Sequence, residues 1–243
     1  ISGMTAALDI AAQGFKVDII ERTGALGGNA AKIHHEEDGK KISTFAKELA
    51  DKVSADKNIT VHLNTEVQDV GGFVGNFKIQ TSQGEIETGS VVVAVGAEEY
   101  KPTEYLYGQN SNVVTQLELE EKMESGNIPA KRIAMIQCVG SRNTDAPYCS
   151  RVCCANAIKN AISLKKADPS KDIYVFHKDI RTYGFREDLY KEASSLGVKF
   201  IRVPEDKPPM VSQDGSALTL TAFDTILGDD ITIRPDMVVL STG

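Results

Sequence analysis

Two spacings of apolar residues alternate along the chain, and they set out its elements. Met4, Ala7, Leu8 and Ala11 recur at helical spacing, and Gly14 closes that run. A short β-rich run over 17–20 follows. Ile42, Phe45, Ala46, Leu49 and Val53 predict a second amphipathic helix, with a strand over 59–63 behind it. Residues 66–72, 75–81 and 85–88 read as an antiparallel meander, with Asn76 and Gly84 near its turns. VVVAVGA, residues 91–97, is apolar throughout and ends in small residues, which predicts a central parallel strand.

The second half repeats the theme. An apolar β-rich run over 132–137 precedes Ala155, Ile158, Ala161 and Ile162, a helix pattern suited to lying on a sheet. Strands are predicted over 172–177 and 198–203, with a helix over 187–196 between them. Residues 204–209 form a loop, 217–223 with 231–233 a β-ribbon, and MVVLSTG over 237–243 another apolar strand. This order predicts an α/β fold of two Rossmann-like βαβ domains, each with a small antiparallel β-meander. The expected boundaries are 1–103, a connecting segment over 104–130 whose Glu-rich helix presents a solvated face, and 131–243.

The chemistry is concentrated between 132 and 165. All four cysteines, Cys138, Cys149, Cys153 and Cys154, fall there with the spacing C-x10-C-x3-C-C. They occupy the loop between a strand and a helix and that helix's first turn, where a Rossmann unit would hold a dinucleotide's pyrophosphate on a glycine-rich turn. Thiolates are favoured near the positive end of a helix. Cys149 and Cys153, four apart, would share a helix face, while Cys154 would point elsewhere unless the turn is distorted. Four thiolates suit a [4Fe-4S] cluster, with an all-cysteine structural zinc site as the alternative, and the spacing matches neither a ferredoxin run nor a zinc ribbon. Disulfides are disfavoured because the chain is long enough to bury a full core and nothing reads as a signal peptide. Arg142 and Arg151 flank the cysteines, either to offset their charge or as ordinary surface residues.

The N-terminal stretch reads as the back half of a βαβ unit, and both ends read as internal to a longer chain. Gly3 matches the last glycine of G-x-G-x-x-G, and Glu21 closes the next strand eighteen residues later, where a ribose-binding carboxylate belongs. A solvated strand end is the plainer reading of Glu21. Gly24, Gly27, Gly28 and Asn29 follow in a second glycine-rich turn, which suits an extended flavin dinucleotide or a surface loop. His34 and His35 are adjacent, face different ways and are expected to be exposed, and His62 and His177 to be structural.

Composition adds outer bounds. A net charge of −7 argues against nucleic acid as the partner, and no apolar run approaches the roughly 20 residues that span a bilayer. A cytoplasmic location is expected.

Taken together, ISGMTAALDIA, LGGN, GGFVGNF, AVGAEEYKP, CVGSR…PYCSRVCCANAIKNA, IYVFHKDIRTYG and DTILGDD…VVLSTG resemble the A subunit of heterodisulfide reductase and its relatives, flavoproteins of anaerobic electron transfer. The resemblance covers essentially the whole chain. It implies a thioredoxin-reductase-like fold, with an FAD domain interrupted by a pyridine-nucleotide-like domain whose nucleotide site is replaced by a [4Fe-4S] cluster. It implies that Cys138, Cys149, Cys153 and Cys154 are the cluster ligands and that Ser2, Gly3, Glu21, Arg22, Gly28, Asn29, Val67 and Gly96 surround FAD. It also implies oxidoreductase activity, with partners among the other subunits of a heterodisulfide-reductase-like complex, and a homodimer or larger assembly. Two alternatives stand beside it: an NAD(P)H-dependent flavin reductase without a cluster, and a non-catalytic scaffold with a four-cysteine zinc site. No redox-active C-x-x-C is present, so disulfide chemistry at this chain itself is not expected.

Overall fold

A computed structural model describes residues 1–34, 41–126 and 128–242. The chain forms two compact units, Ile1–Glu98 and Glu99–Gly243.

In the first unit, helix α1 (Ser2–Ala12) buries Met4, Ala7 and Ala11, the face its spacing predicts. Helix α2 (Ile42–Ala55) buries Ala46, Leu49 and Val53. Phe45, assigned to the same stripe, lies at its margin and stays exposed. Both helices pack on a parallel pair, β1 (Val17–Ile20) and β2 (Ile59–His62). The meander forms as read from β3 (Val67–Phe73), β4 (Asn76–Thr81) and β5 (Gly84–Thr88).

Residues 91–97 depart from expectation. They join no strand, and Val93 and Val95 are 78% and 90% exposed. An apolar run becomes a central strand only when strands flank it on both sides. Among the described residues β1 pairs with β2 alone.

The second unit is built on a five-stranded parallel sheet in the order β6-β13-β7-β8-β9. Its strands are Val113–Thr115, Met237–Thr242, Arg132–Val139, Asp172–His177 and Lys199–Arg202. Helix α4 (Cys153–Ala167) is the crossover from β7 to β8 and buries Ala157, Ile158 and Ala161 completely. Helix α5 (Glu187–Ser195) links β8 to β9. A three-stranded antiparallel sheet, β10 (Met210–Asp214), β11 (Ala217–Asp224) and β12 (Asp229–Ile233), adds a strand to the expected ribbon.

The segment expected to be a connector is part of this unit. Val113–Thr115 supplies an edge strand beside β13, and helix α3 (Gln116–Glu124) follows with Thr115 and Glu118 forming a reciprocal capping box. Nor is the helix solvated all round. Glu120 is fully buried and pairs with Lys159 of α4 at 2.7 Å.

Candidate functional site

The cysteine site grows out of an irregularity in the central strand. β7 and β13 run in register until Ile136 pairs with Leu240 and Val139 with Thr242. Gln137 and Cys138 therefore oppose the single residue Ser241, a bulge of the kind that re-aims a side chain. Cys138 sits there with φ +62°, a left-handed conformation uncommon for a residue with a Cβ. Gln137 Nε2 donates to Ser241 Oγ at 2.8 Å, and Gln116 Nε2 reaches the same hydroxyl at 3.0 Å.

After Cys138 the chain leaves the strand. Gly140 has φ +73°, and a Cβ there would lie 2.2 Å from the Tyr100 ring, so only glycine fits beneath that side chain. The loop then doubles back. Arg142 N–H donates to the Tyr148 carbonyl, and Asn143 accepts at Oδ1 from the backbone N–H groups of Asp145 and Ala146. The return delivers Cys149 ahead of α4, which opens with Cys153 and Cys154.

Three of the four thiols come together. Cys138, Cys153 and Cys154 are buried, and none of the four cysteines is in a disulfide. Cys138 and Cys154 both donate to Cys153, which holds that thiol well below its usual range. Cys138 and Cys154 are pushed up by the same contacts and then by burial. Cys154 thus turns toward the others rather than away. Cys149 is half-buried and sits in the loop, not on the helical turn that its spacing suggested. Its sulfur accepts from the Arg151 N–H at 3.4 Å. Among the described residues no group of three or more His, Cys, Asp or Glu side chains is disposed to cage a metal as it stands. The donor set itself, three buried free thiols at a helix N-terminus with a fourth on the adjoining loop, has the chemistry that an iron–sulfur group requires.

Arg142, expected from the sequence to flank the cysteines, and several residues missed there complete the surroundings. Arg142 Nη1 lies 4.0 Å from Cys138 Sγ, pairs with Asp179, and the guanidinium reaches Glu205 at 3.5 Å. Lys178 Nζ donates to the Arg142 carbonyl at 2.6 Å. Tyr105 is pushed up to about 12, by burial first and then by Glu104 and Cys138. A cavity of about 190 Å³ opens beside the turn, lined among others by Tyr105, Gln137, Cys138, Lys178 and Pro204. For Lys178 the advance signal was the HKDIR run that ends β8 and follows it, a basic stretch at the sheet's C-terminal edge.

The expected flavin residues divide. Asn29 Nδ2 donates to the Ala97 carbonyl at 2.8 Å, Arg22 pairs with Glu98 at 3.5 Å, and a Cβ on Gly3 would come 3.2 Å from Ala94 Cβ. Gly3, Arg22 and Asn29 thus converge on residues 94–98, which include Gly96. Ser2 opens α1 beside Gly3. Gly28 and Gly96 have φ +55° and +68° with open space where a Cβ would stand, as close backbone approach to a dinucleotide requires. Glu21 is turned to local use: its Oε1 accepts from Thr23 N–H and Oγ1 at 2.8 and 2.7 Å. Val67 opens the meander, paired to Thr81. His62 is bonded to Asp18 at 2.8 Å, and His35 lies outside the described residues.

Residues 1–50 match the NAD(P)-binding Rossmann-like domain family. The A-type iron–sulfur subunit of CoB–CoM heterodisulfide reductase from Methanocaldococcus jannaschii is 27% identical across the whole chain, which covers 52% of that relative. The A subunit of the H2:CoB–CoM heterodisulfide,ferredoxin reductase from Methanothermobacter marburgensis is 39% identical over 65% of the chain and 27% of its own length. Over its whole length the chain is similar to heterodisulfide reductase A subunits. It spans about half the length of the curated relatives that match it end to end. The fold of this heterodisulfide reductase relative is that of thioredoxin reductase. The Lactococcus lactis enzyme superposes with a TM-score of 0.68 at 18% identity, over 99% of this chain and 74% of that one. Among the described residues no helix is long and apolar enough to cross a membrane.

Proposed function

We propose that this chain is an electron-transfer unit of an iron–sulfur flavoprotein oxidoreductase, with FAD on the first unit and a [4Fe-4S] cluster on Cys138, Cys149, Cys153 and Cys154 of the second. One observation carries the reading: a strand bulge and a helix start bring three buried free cysteines into contact where a nucleotide-binding turn would hold phosphate. The names of the relatives, heterodisulfide reductase components of the A type, support it, and so does a fold shared with a flavin-family reductase. When bound, FAD supplies two-electron exchange and the cluster single-electron steps.

The chain's own contribution is binding and electrostatics. Ser2, Gly3, Gly28, Asn29 and Gly96 supply close backbone approach and Arg22 a cation for the dinucleotide, with Glu21 at the ribose end and Val67 offering main-chain contacts. The α4 N-terminus favours negative sulfur, and burial of three ligands keeps water away. The remaining partners are other subunits of a heterodisulfide-reductase-like complex, assembled in the cytoplasm.

Anaerobically purified protein provides the test. The expected result is bound FAD with about four irons and four sulfides, and loss of the iron absorption in Cys138→Ala and Cys153→Ala. Zinc in place of iron would establish a structural site, and flavin alone a simple reductase.

A further inference from the structure

Asp179, two residues beyond the end of β8, carries two arginines that sit at different cysteines. Its Oδ1 accepts from Arg142 Nη1. It also takes Arg181 Nε at 3.3 Å and Nη2 at 3.2 Å in a forked contact. Arg142 is directed to Cys138, with Nη1 4.0 Å from the sulfur and the side chain only 14% exposed. Arg181 stands on the other thiols: its backbone N–H is bonded to Cys154, and its guanidinium is within electrostatic reach of Cys149. The arrangement is further tied down by Lys178, which holds the Arg142 carbonyl and pairs with Glu205 at 3.4 Å. Arg151, the other arginine in the cysteine loop, is exposed and contributes only its backbone N–H.

We infer that Asp179 is a positioning residue that holds Arg142 against Cys138 and Arg181 beside Cys149 and Cys154, where the two guanidiniums supply the site's countercharge. This rests on the cluster reading under Proposed function. An unrestrained arginine on a surface loop would extend into solvent, where its effect on a buried anionic group is screened. The Asp179 carboxylate fixes two of them at once, Arg142 through Nη1 and Arg181 through a fork. Three cations, Arg142, Lys178 and Arg181, set against two carboxylates, Asp179 and Glu205, leave net positive charge beside four thiolates, which stabilises the more negative, reduced state and so raises the reduction potential.

The sign separates positioning from simple charge. If Asp179 acted only as a negative charge, its removal would raise the potential. As the holder of two cations, its removal lowers it. The experiment is an EPR-monitored redox titration of the anaerobically purified, iron-loaded protein and of its Asp179→Asn, Asp179→Glu, Arg142→Gln and Arg151→Gln variants, with iron content measured in each. The expected result is a lower midpoint for Asp179→Asn and Arg142→Gln at full iron content. Asp179→Glu should recover most of the shift, and Arg151→Gln should match the parent. An iron-loaded Asp179→Asn protein with an unmoved or raised midpoint overturns this inference while leaving the cluster assignment intact. A parent protein free of iron and sulfide overturns both.

Discussion

Lys159 Nζ and Glu120 Oε1 meet at 2.7 Å between α4 and α3, with Glu120 wholly buried and Lys159 nearly so. Beside them Asn160 donates to Gln116 at 2.8 Å, so α3 is joined to the cysteine helix by polar contacts inside the unit. Removing one member of a buried ion pair costs about 3–5 kcal/mol, whereas replacing both with apolar residues is often neutral. Glu120→Leu and Lys159→Met are therefore each expected to lower the urea midpoint sharply, and the double variant to recover most of the loss. Double-variant stability no better than the worse single change would refute the pairing.

Gly140 and Tyr100 make the second prediction. Gly140→Ala meets two obstacles, a ring 2.2 Å from the new Cβ and a φ of +73°. Tyr100→Ala removes the first and leaves the second, which costs about 1–2 kcal/mol on its own. Gly140→Ala should therefore destabilise the protein, and adding Tyr100→Ala should return part of that stability. Thermal unfolding of the three variants measures the split.

Two similar apolar runs show what the sequence carries and what it withholds. MVVLST and VVVAVG both read as buried parallel strands, and only the first becomes one. Met237–Thr242 finds Val113–Thr115 on one side and Arg132–Val139 on the other, so its backbone groups are paired. Residues 91–97 have no such neighbours among the described residues, and hydropathy contains no term for whether neighbours exist. The helices and the meander depend on local periodicity and turn residues, and these were legible. The spacing C-x10-C-x3-C-C located the site, yet not its shape. The bulge at Gln137 and Cys138 depends on register against Ser241, about a hundred residues away. Asp179 was invisible for the same reason, because an acid after a strand ordinarily faces solvent.

Acid sensitivity follows from His177. Burial is the main force that holds it at about 4, Arg202 adds to it, and its Nδ1 is buried with no hydrogen-bond partner. The folded value lies below the ordinary value near 6.5, so between the two the unfolded chain binds more protons. Stability is then unaffected above about pH 6.5 and falls as pH drops toward 4. After discounting for partial exposure, the loss is about 1–2 kcal/mol. His177→Gln should flatten this part of the pH dependence, measured as urea midpoints at pH 7 and pH 4.5. An unchanged slope would assign the acid sensitivity to other groups.

The cysteines separate ligand function from packing. In the metal-free protein Cys149→Ser alters a half-buried side chain on a loop and should shift stability by no more than about 0.5 kcal/mol. Cys153→Ser removes the buried thiol that Cys138 and Cys154 both address, and should be distinctly less stable without metal. Iron binding makes a different demand, since a cluster needs its ligands whatever their burial. Both variants are therefore expected to lose iron to a similar extent, although only one is destabilised when metal-free. Binding to the folded state also raises stability, so treating the parent with a strong chelator should lower its unfolding temperature while leaving that of Cys149→Ser nearly unmoved. If Cys149→Ser kept its full iron, the fourth ligand would have to be sought elsewhere.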